Sequence, residues 1–169
     1  MQYVKDESKK KPYYIHDISL EEGSFIKRSP EIEMERHKAL SDLLMQNSFQ
    51  PIDYTDGPYH VSLSLQDINL IIKVNSIEKT EKGLKVLTPL RPFRRLIKDY
   101  FMICESFYVA AKQAHNGKLE AIDMGRRGIH NEGADLLIKS LKNKVILDKQ
   151  TARQLFTLIC ILHIRIFNK

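Results

Sequence analysis

The chain has 169 residues, of which 43% are hydrophobic and 28% are charged. This length and composition are those of one ordinary globular domain, and they exclude an intrinsically disordered chain, a collagen-like fibre and a disulfide-stabilised miniprotein. The formal net charge is +6. Residues 1–88 carry 12 basic and 14 acidic side chains, whereas residues 89–169 carry 15 basic and 7 acidic side chains. The uneven charge predicts an anionic partner, such as nucleic acid, a phosphate ligand or an acidic protein. The alternative is that the basic surface only keeps the protein soluble.

The first residues have a different character from the rest of the chain. Residues 1–12 are charged and show no hydrophobic periodicity, which predicts a mobile tail followed by a single domain over residues 13–169. No apolar run has the length of a membrane span or the pattern of a signal peptide, so we expect a cytoplasmic protein without membrane contact. Cys104 and Cys160 lie in apolar helical patterns, which predicts reduced and buried thiols.

The first half of the sequence predicts strands around one helix. Residues Tyr13–Leu20 alternate as a strand does. Ser29 followed by Pro30 is typical of a helix start, and the helix is expected to run to about Gln46. Three further segments have the alternation and the turn residues of an antiparallel meander. They are His60–Leu65, Leu70–Val74 and Leu84–Leu87.

The second half changes to helical periodicity. An apolar stripe from Phe93 to Ala111 predicts a long helix that stops near Asn116, and Asp148 is expected to cap a last, strongly apolar helix. The fold class is therefore α+β, with a small antiparallel sheet covered by a mainly helical C-terminal half. The two long apolar stripes are expected to meet in one core. Its predicted members are Cys104, Phe107, Leu155, Phe156, Ile159 and Leu162.

Between these two helices lies the densest polar cluster, which runs from Asp123 to Gly133. The glycines there predict a break between a helix over Leu119–Arg126 and another over Glu132–Leu141, with Asn131 as the cap of the second.

Three segments resemble an uncharacterised bacterial family, uncharacterised protein family 0262, which occurs mainly in alphaproteobacteria. They are FRRLIKDYFMICESF at Phe93–Phe107, AIDMGRRGIHNEGA at Ala121–Ala134 and TARQLFTLICILH at Thr151–His163. SFQP near Ser48 and GPYHVSLS at Gly57–Ser64 match more weakly. The family has no established activity, so the resemblance implies a bacterial, cytoplasmic setting and no particular reaction.

The leading functional prediction is a non-enzymatic binding protein for an anionic partner. A helix start at Asn131 would offer unpaired N–H groups beside arginines, which suits phosphate or carboxylate. Arginines at the start of the long helix oppose its dipole, so stability alone does not select them. The alternative is that the glycines serve close packing, Asn131 is only a cap and the arginines pair with Asp123 or Glu120. The predicted anion-binding residues are Arg94, Arg95, Arg126, Arg127 and Asn131.

Two other functions are open at the same cluster. A small enzyme acting on a phosphate- or carboxylate-bearing substrate would use His130 as general base, oriented by Glu132 or Asp123. A helix-turn-helix would place the second helix in DNA, although its basic residues Lys139 and Lys142 come late in that helix.

Metal binding is the last possibility weighed at this stage. Cys160 and His163 have a spacing that can place two ligands on one metal, but scattered cysteine and histidine side chains in apolar stripes are usually core residues. The sequence carries no familiar cofactor motif. We therefore predict neither a metal nor a cofactor.

Overall fold

The computed structural model describes residues 12–21, 29–79, 82–113 and 116–163, so the predicted tail lies, except for residue 12, outside the described residues. The chain has the predicted α+β fold, with a mainly helical C-terminal half. Its helices are α1 (Pro30–Met45), α2 (Arg94–Lys112), α3 (Asn116–Ser140) and α4 (Lys149–Leu162). Its strands are β1 (Ile15–Leu20), β2 (Phe49–Pro51), β3 (Tyr59–Gln66), β4 (Asn69–Ser76), β5 (Leu84–Pro89) and β6 (Val145–Leu147).

The main sheet has the strand order β1-β3-β4-β5. The pairs β3–β4 and β4–β5 are antiparallel, which confirms the predicted meander. The expectation of a wholly antiparallel sheet is wrong, because β1 pairs with β3 in parallel. The helix α1 lies between these two strands in the chain, and a helical crossover returns the chain to the same end of the sheet, so both strands run in one direction.

A second sheet has only two strands, β2 and β6, which pair in antiparallel orientation. It was not predicted, because three residues are too few for alternation to be visible in a sequence. Phe49 lies opposite Leu147 across this pair, and both side chains are buried. The small sheet thereby fixes the segment after α1 to the segment before α4.

Two of the three predicted helix caps, Ser29 and Asp148, are confirmed. The Ser29 hydroxyl accepts a hydrogen bond from the Ile32 N–H at 3.2 Å, and Pro30 is the first residue of α1. The Asp148 carboxylate accepts from the Thr151 N–H at 2.9 Å at the start of α4. Each cap satisfies an N–H group that the first helical turn leaves without a partner.

The helix α4 lies at the centre of the core, where it contacts α1, α2, α3 and β3. All of its residues from Leu155 to Leu162 are buried. Five of the six predicted core residues share one buried cluster, and the prediction for Phe107 is wrong. Phe107 is only half-buried, and the Arg126 guanidinium lies 4.5 Å from the centre of its ring.

The predicted break in the polar cluster is also wrong, because α3 is continuous from Asn116 to Ser140. A glycine inside a helix costs only about 1 kcal/mol relative to alanine, which packing can offset. A Cβ at Gly133 would lie 2.6 Å from atoms of the Phe156 ring, so this glycine permits α3 to approach α4 closely. Asn131 is therefore a mid-helix residue and not a cap, and the helix-turn-helix interpretation loses its joint.

Within the described ranges, no helix combines the length and the apolar character that crossing a membrane requires.

Candidate functional site: a cationic cavity between three helices

Much of the predicted polar cluster lines a cavity of about 350 Å³ between α1, α3 and α4, which we call the interhelical cavity. Its α3 residues lie three, four and seven positions after Asp123, a spacing that places them on one face of a helix. The lining residues are Glu35, Lys38 and Ala39 from α1, Asp123, Arg126, Arg127 and His130 from α3, and Arg153, Gln154 and Thr157 from α4.

The inner wall of the interhelical cavity is a network around Glu35, whose side chain is only 11% exposed. One of its oxygens accepts hydrogen bonds from the Tyr108 hydroxyl at 2.9 Å and from the Arg126 guanidinium at 3.1 Å. Arg126 also donates to Asp123 at 2.8 Å. A carboxylate this deeply buried requires a charged partner and hydrogen bonds. Arg126 is consequently held by one carboxylate from α1 and one from its own helix.

Two tyrosines reinforce this wall. Burial, followed by the neighbouring Glu35, raises the pKa of Tyr108. Burial, with smaller effects from Cys104 and Glu35, raises the pKa of Tyr100, whose hydroxyl donates to Glu35 at 3.4 Å. Both hydroxyls therefore stay protonated and act as donors near neutral pH.

The charge of the interhelical cavity is predominantly positive, with four basic and two acidic lining side chains. Arg127 pairs with Asp123 at 3.1 Å and is 70% exposed, and Lys38 pairs with Asp42 on the outside of α1. Arg153, by contrast, forms no ion pair with any residue that the structure describes. Positive charge without an internal counter-ion is thus available on the α4 side.

His130 lies on the floor of the interhelical cavity, with its ring packed edge-on against Tyr100 and Phe156 at centroid distances of 5.5 Å and 6.3 Å. Its Nδ1 is 3.1 Å from the Thr157 hydroxyl oxygen. That hydroxyl in turn donates to the Arg153 carbonyl at 3.1 Å. When the single hydroxyl proton is used there, Nδ1 carries the proton of its own bond to Thr157. The remaining nitrogen, Nε2, is then an acceptor.

The charge state of His130 is set by its surroundings. Burial, followed by the cations Arg153, Arg126 and Lys38, lowers the pKa of His130 to about 4, against the smaller opposing effect of Asp123. The ring is therefore neutral at pH 7, which is consistent with one nitrogen donating and the other accepting.

The predicted catalytic arrangement does not form, because both candidate carboxylates have other partners. Glu132 accepts from Arg95 at 2.8 Å, and Asp123 pairs with Arg126 and Arg127. This pairing of the arginines with Asp123 is the one that the sequence predicts as the alternative to anion binding. The ring of His130 is positioned by Thr157 and two aromatic rings instead of by a carboxylate.

The predicted anion-binding residues divide between two places. Arg94 and Arg95 line a separate, open cavity of about 560 Å³ at the start of α2, which we call the basic patch. Arg95 is paired with Asp99 and Glu132. The basic patch and the interhelical cavity share no lining residue, so the combined surface expected from the sequence is not one site. The basic patch is lined by Arg91, Pro92, Arg94, Arg95 and Lys98.

Asn131 lines neither cavity. Its backbone N–H is part of the continuous helix α3, where each interior N–H bonds to the carbonyl four residues earlier. The free N–H groups that motivated its prediction as an anion ligand are therefore absent at this position.

Among the charged and hydroxyl-bearing residues that line the interhelical cavity, sequence reasoning missed four: Glu35, Lys38, Arg153 and Thr157. The only signal for the last two is their four-residue spacing, which places them on one face of α4. Glu35 was visible only as one of several acids near the start of α1. Its partner Arg126 lies 91 positions away, and no local pattern reveals such a pair.

The two free thiols, Cys104 and Cys160, are buried in the core. Burial raises the pKa of Cys104 to about 12, and burial also raises the pKa of Cys160. Protonated thiols are poor nucleophiles and poor metal ligands. Among the side chains that the structure describes, no three of the His, Cys, Asp and Glu type are grouped as a metal site requires.

The fold and site define an α+β protein with a cationic cavity built from three helices. The chain belongs to UPF0262, an uncharacterised protein family whose pattern matches residues 13–165, which confirms the resemblance found in the sequence. A UPF0262 protein of Rhizobium meliloti (strain 1021) is 48% identical over 149 residues, covering 88% of this chain and 93% of that protein. One of Rhodospirillum rubrum is 48% identical over 153 residues, covering 90% and 93%. No solved structure matches the chain significantly.

Proposed function

We propose that this protein binds an anionic ligand and that the anionic group of the ligand occupies the interhelical cavity. The observation that carries the proposal is the excess of positive charge there, where four basic side chains face two carboxylates. A concave wall of low dielectric concentrates such a field and favours anions over cations.

The arrangement of the arginines supports this proposal. Arg126 is fixed by Glu35 and Asp123, and its own charge is therefore largely neutralised. Arg153 has no counter-ion in the described ranges, and it lies on a helix whose following residues are buried. A guanidinium held on a rigid element and lacking a partner is suited to carboxylate or phosphate, because it can donate two parallel hydrogen bonds. Arg153 is thus the residue we assign to the ligand.

The test uses inorganic phosphate as a probe, added to ¹⁵N-labelled protein at constant ionic strength and followed by NMR. We expect saturable shifts in amides around the interhelical cavity. Arg153→Gln should weaken phosphate binding about ten- to hundredfold, since a charge-assisted hydrogen bond contributes about 1.5–3 kcal/mol.

The matched control is Arg94→Gln, which removes the same charge from the basic patch and leaves the interhelical cavity intact. We expect an affinity within about twofold of the unaltered protein, because Arg94 does not line the interhelical cavity and salt screens the field of exposed charges. Loss of binding in Arg94→Gln with retention in Arg153→Gln would move the site to the basic patch. Absence of saturable binding in the unaltered protein would reject the proposal.

A small enzyme using His130 as general base is the second candidate, since His130 lines the same cavity. It is less well supported, because a histidine with a pKa near 4 is a weak base at pH 7 and no candidate carboxylate orients it. Turnover of p-nitrophenyl phosphate that disappears in His130→Phe would favour the enzyme over the binding protein.

A further inference from the structure

One feature of the interhelical cavity is unusual for a site that only attracts negative charge, namely the number of hydrogen-bond acceptors in its wall. The carboxylates of Glu35 and Asp123 line it together with His130. The carboxylates are engaged by Arg126, Arg127 and Tyr108. The Nε2 atom of His130 is different, because it makes no hydrogen bond to any residue in the described ranges.

The orientation of this acceptor is fixed. When the Thr157 proton bonds to the Arg153 carbonyl, the Nδ1–H of His130 donates to Thr157, and this chain of bonds leaves the lone pair on Nε2. Edge-on packing against Tyr100 and Phe156 prevents the ring from turning freely. Burial, followed by the cations around the ring, lowers the pKa of His130 and favours its neutral form, so protonation does not convert Nε2 into a donor near pH 7.

We propose that the interhelical cavity selects an anion that itself carries a proton, such as inorganic phosphate, because Nε2 of His130 accepts that proton in a hydrogen bond. This inference rests on the proposed function. Arg153 provides the attraction for the charge, and His130 provides the discrimination. Inorganic phosphate retains a proton near pH 7, whereas sulfate has a similar size and charge and no proton to donate. A site with a fixed acceptor places sulfate oxygen against a lone pair, which is unfavourable.

The experiment compares phosphate and sulfate as probes at pH 7 and equal ionic strength. We expect the unaltered protein to bind phosphate at least tenfold more tightly than sulfate. The variant His130→Phe keeps an aromatic ring between Tyr100 and Phe156. In this variant phosphate binding should weaken and sulfate binding should not, so the ratio of the phosphate affinity to the sulfate affinity falls towards one. Equal affinities for both ions in the unaltered protein would overturn the selectivity and leave the proposed function standing. If neither phosphate nor sulfate binds, the proposed function itself is overturned.

A second measurement needs no variant and therefore remains decisive if His130→Phe does not fold. Long-range ¹H–¹⁵N NMR of the histidine side chains reports which nitrogen carries the proton. We expect the His130 signals of an imidazole protonated on Nδ1, with the Nε2 resonance displaced by phosphate and not by sulfate. A proton on Nε2 in the free protein, or the same displacement by both ions, would contradict the inference.

Discussion

Replacing Gly133 with alanine places a methyl group against the ring of Phe156, and this variant tests how closely α3 must approach α4. The added Cβ would lie 2.6 Å from three carbon atoms of that ring, a distance at which some atoms must move. Phe156 is fully buried, and its neighbours include Phe93 and Tyr100, each at a ring-centroid distance of 6.4 Å. The ring consequently has no open space into which it can shift.

Two opposing effects determine the magnitude. Overpacking a core typically costs about 1–3 kcal/mol. Alanine is better than glycine in a helix interior by about 1 kcal/mol. Gly133→Ala should therefore lower the free energy of unfolding by about 0–2 kcal/mol.

The matched control is Gly128→Ala, on the same helix, where an added Cβ would meet no atom within 4 Å. This variant gains the helix propensity without the clash, so its free energy of unfolding should rise by about 0.5–1 kcal/mol. For a protein of this size the melting temperatures of the two variants should differ by roughly 1–12 °C, from a scale of about 2–4 °C per kcal/mol. Thermal unfolding followed by circular dichroism measures this difference. Equal stabilisation by both substitutions would refute the argument that Gly133 is required for close packing.

Three further predictions concern the core, the helix start and the buried histidine. Phe156→Ala should cost about 3–5 kcal/mol in urea unfolding, and a loss under about 1 kcal/mol would contradict the central position of α4. Asp148→Ala should cost about 0.5–2 kcal/mol by the same assay, because the Thr151 N–H loses its cap, and an unchanged stability would mean that the cap is dispensable. The folded-state pKa of His130, about 4, lies below its ordinary 6.5, so the unfolded state takes up the proton first as pH falls. Stability should therefore fall between pH 6.5 and pH 4 by about 3 kcal/mol, and His130→Phe should lack that loss. His163, whose pKa burial also lowers, contributes in the same direction in both proteins.

The parts of the fold that the sequence predicts correctly are those with strong local signals. Ser29 with Pro30, and Asp148, mark helix starts by side-chain chemistry that acts within one turn. The meander is visible because its strands have six to eight residues, enough for alternation to appear. The parallel pairing of β1 is a property of the connection through α1, and alternation within a strand does not report the direction of its neighbour.

The prediction over α3 failed for a different physical reason. A glycine in a helical sequence predicts a break because its backbone freedom destabilises a helix. Here two glycines offset that cost, because the absence of a side chain allows close contacts with neighbouring helices. Gly133 faces Phe156, and a Cβ at Gly125 would lie 3.2 Å from the end of the Ile103 side chain. The benefit comes from α2 and α4, which are distant in sequence, so the local pattern contains the cost of these glycines and not the gain.

The interhelical cavity likewise depends on contacts between segments that are distant in sequence. The sequence places Arg126, Arg127 and His130 on one stretch, but their chemistry depends on Glu35 from α1 and on Arg153 and Thr157 from α4.

Thr157 is buried, and its hydroxyl oxygen lies 3.1 Å from both the Arg153 carbonyl oxygen and the Nδ1 atom of His130. This one side chain therefore links the backbone of Arg153 to the ring of His130. Because α4 forms the centre of the core, Arg153 and Thr157 are carried on a rigid element, and the site that we propose for an anion requires little reordering.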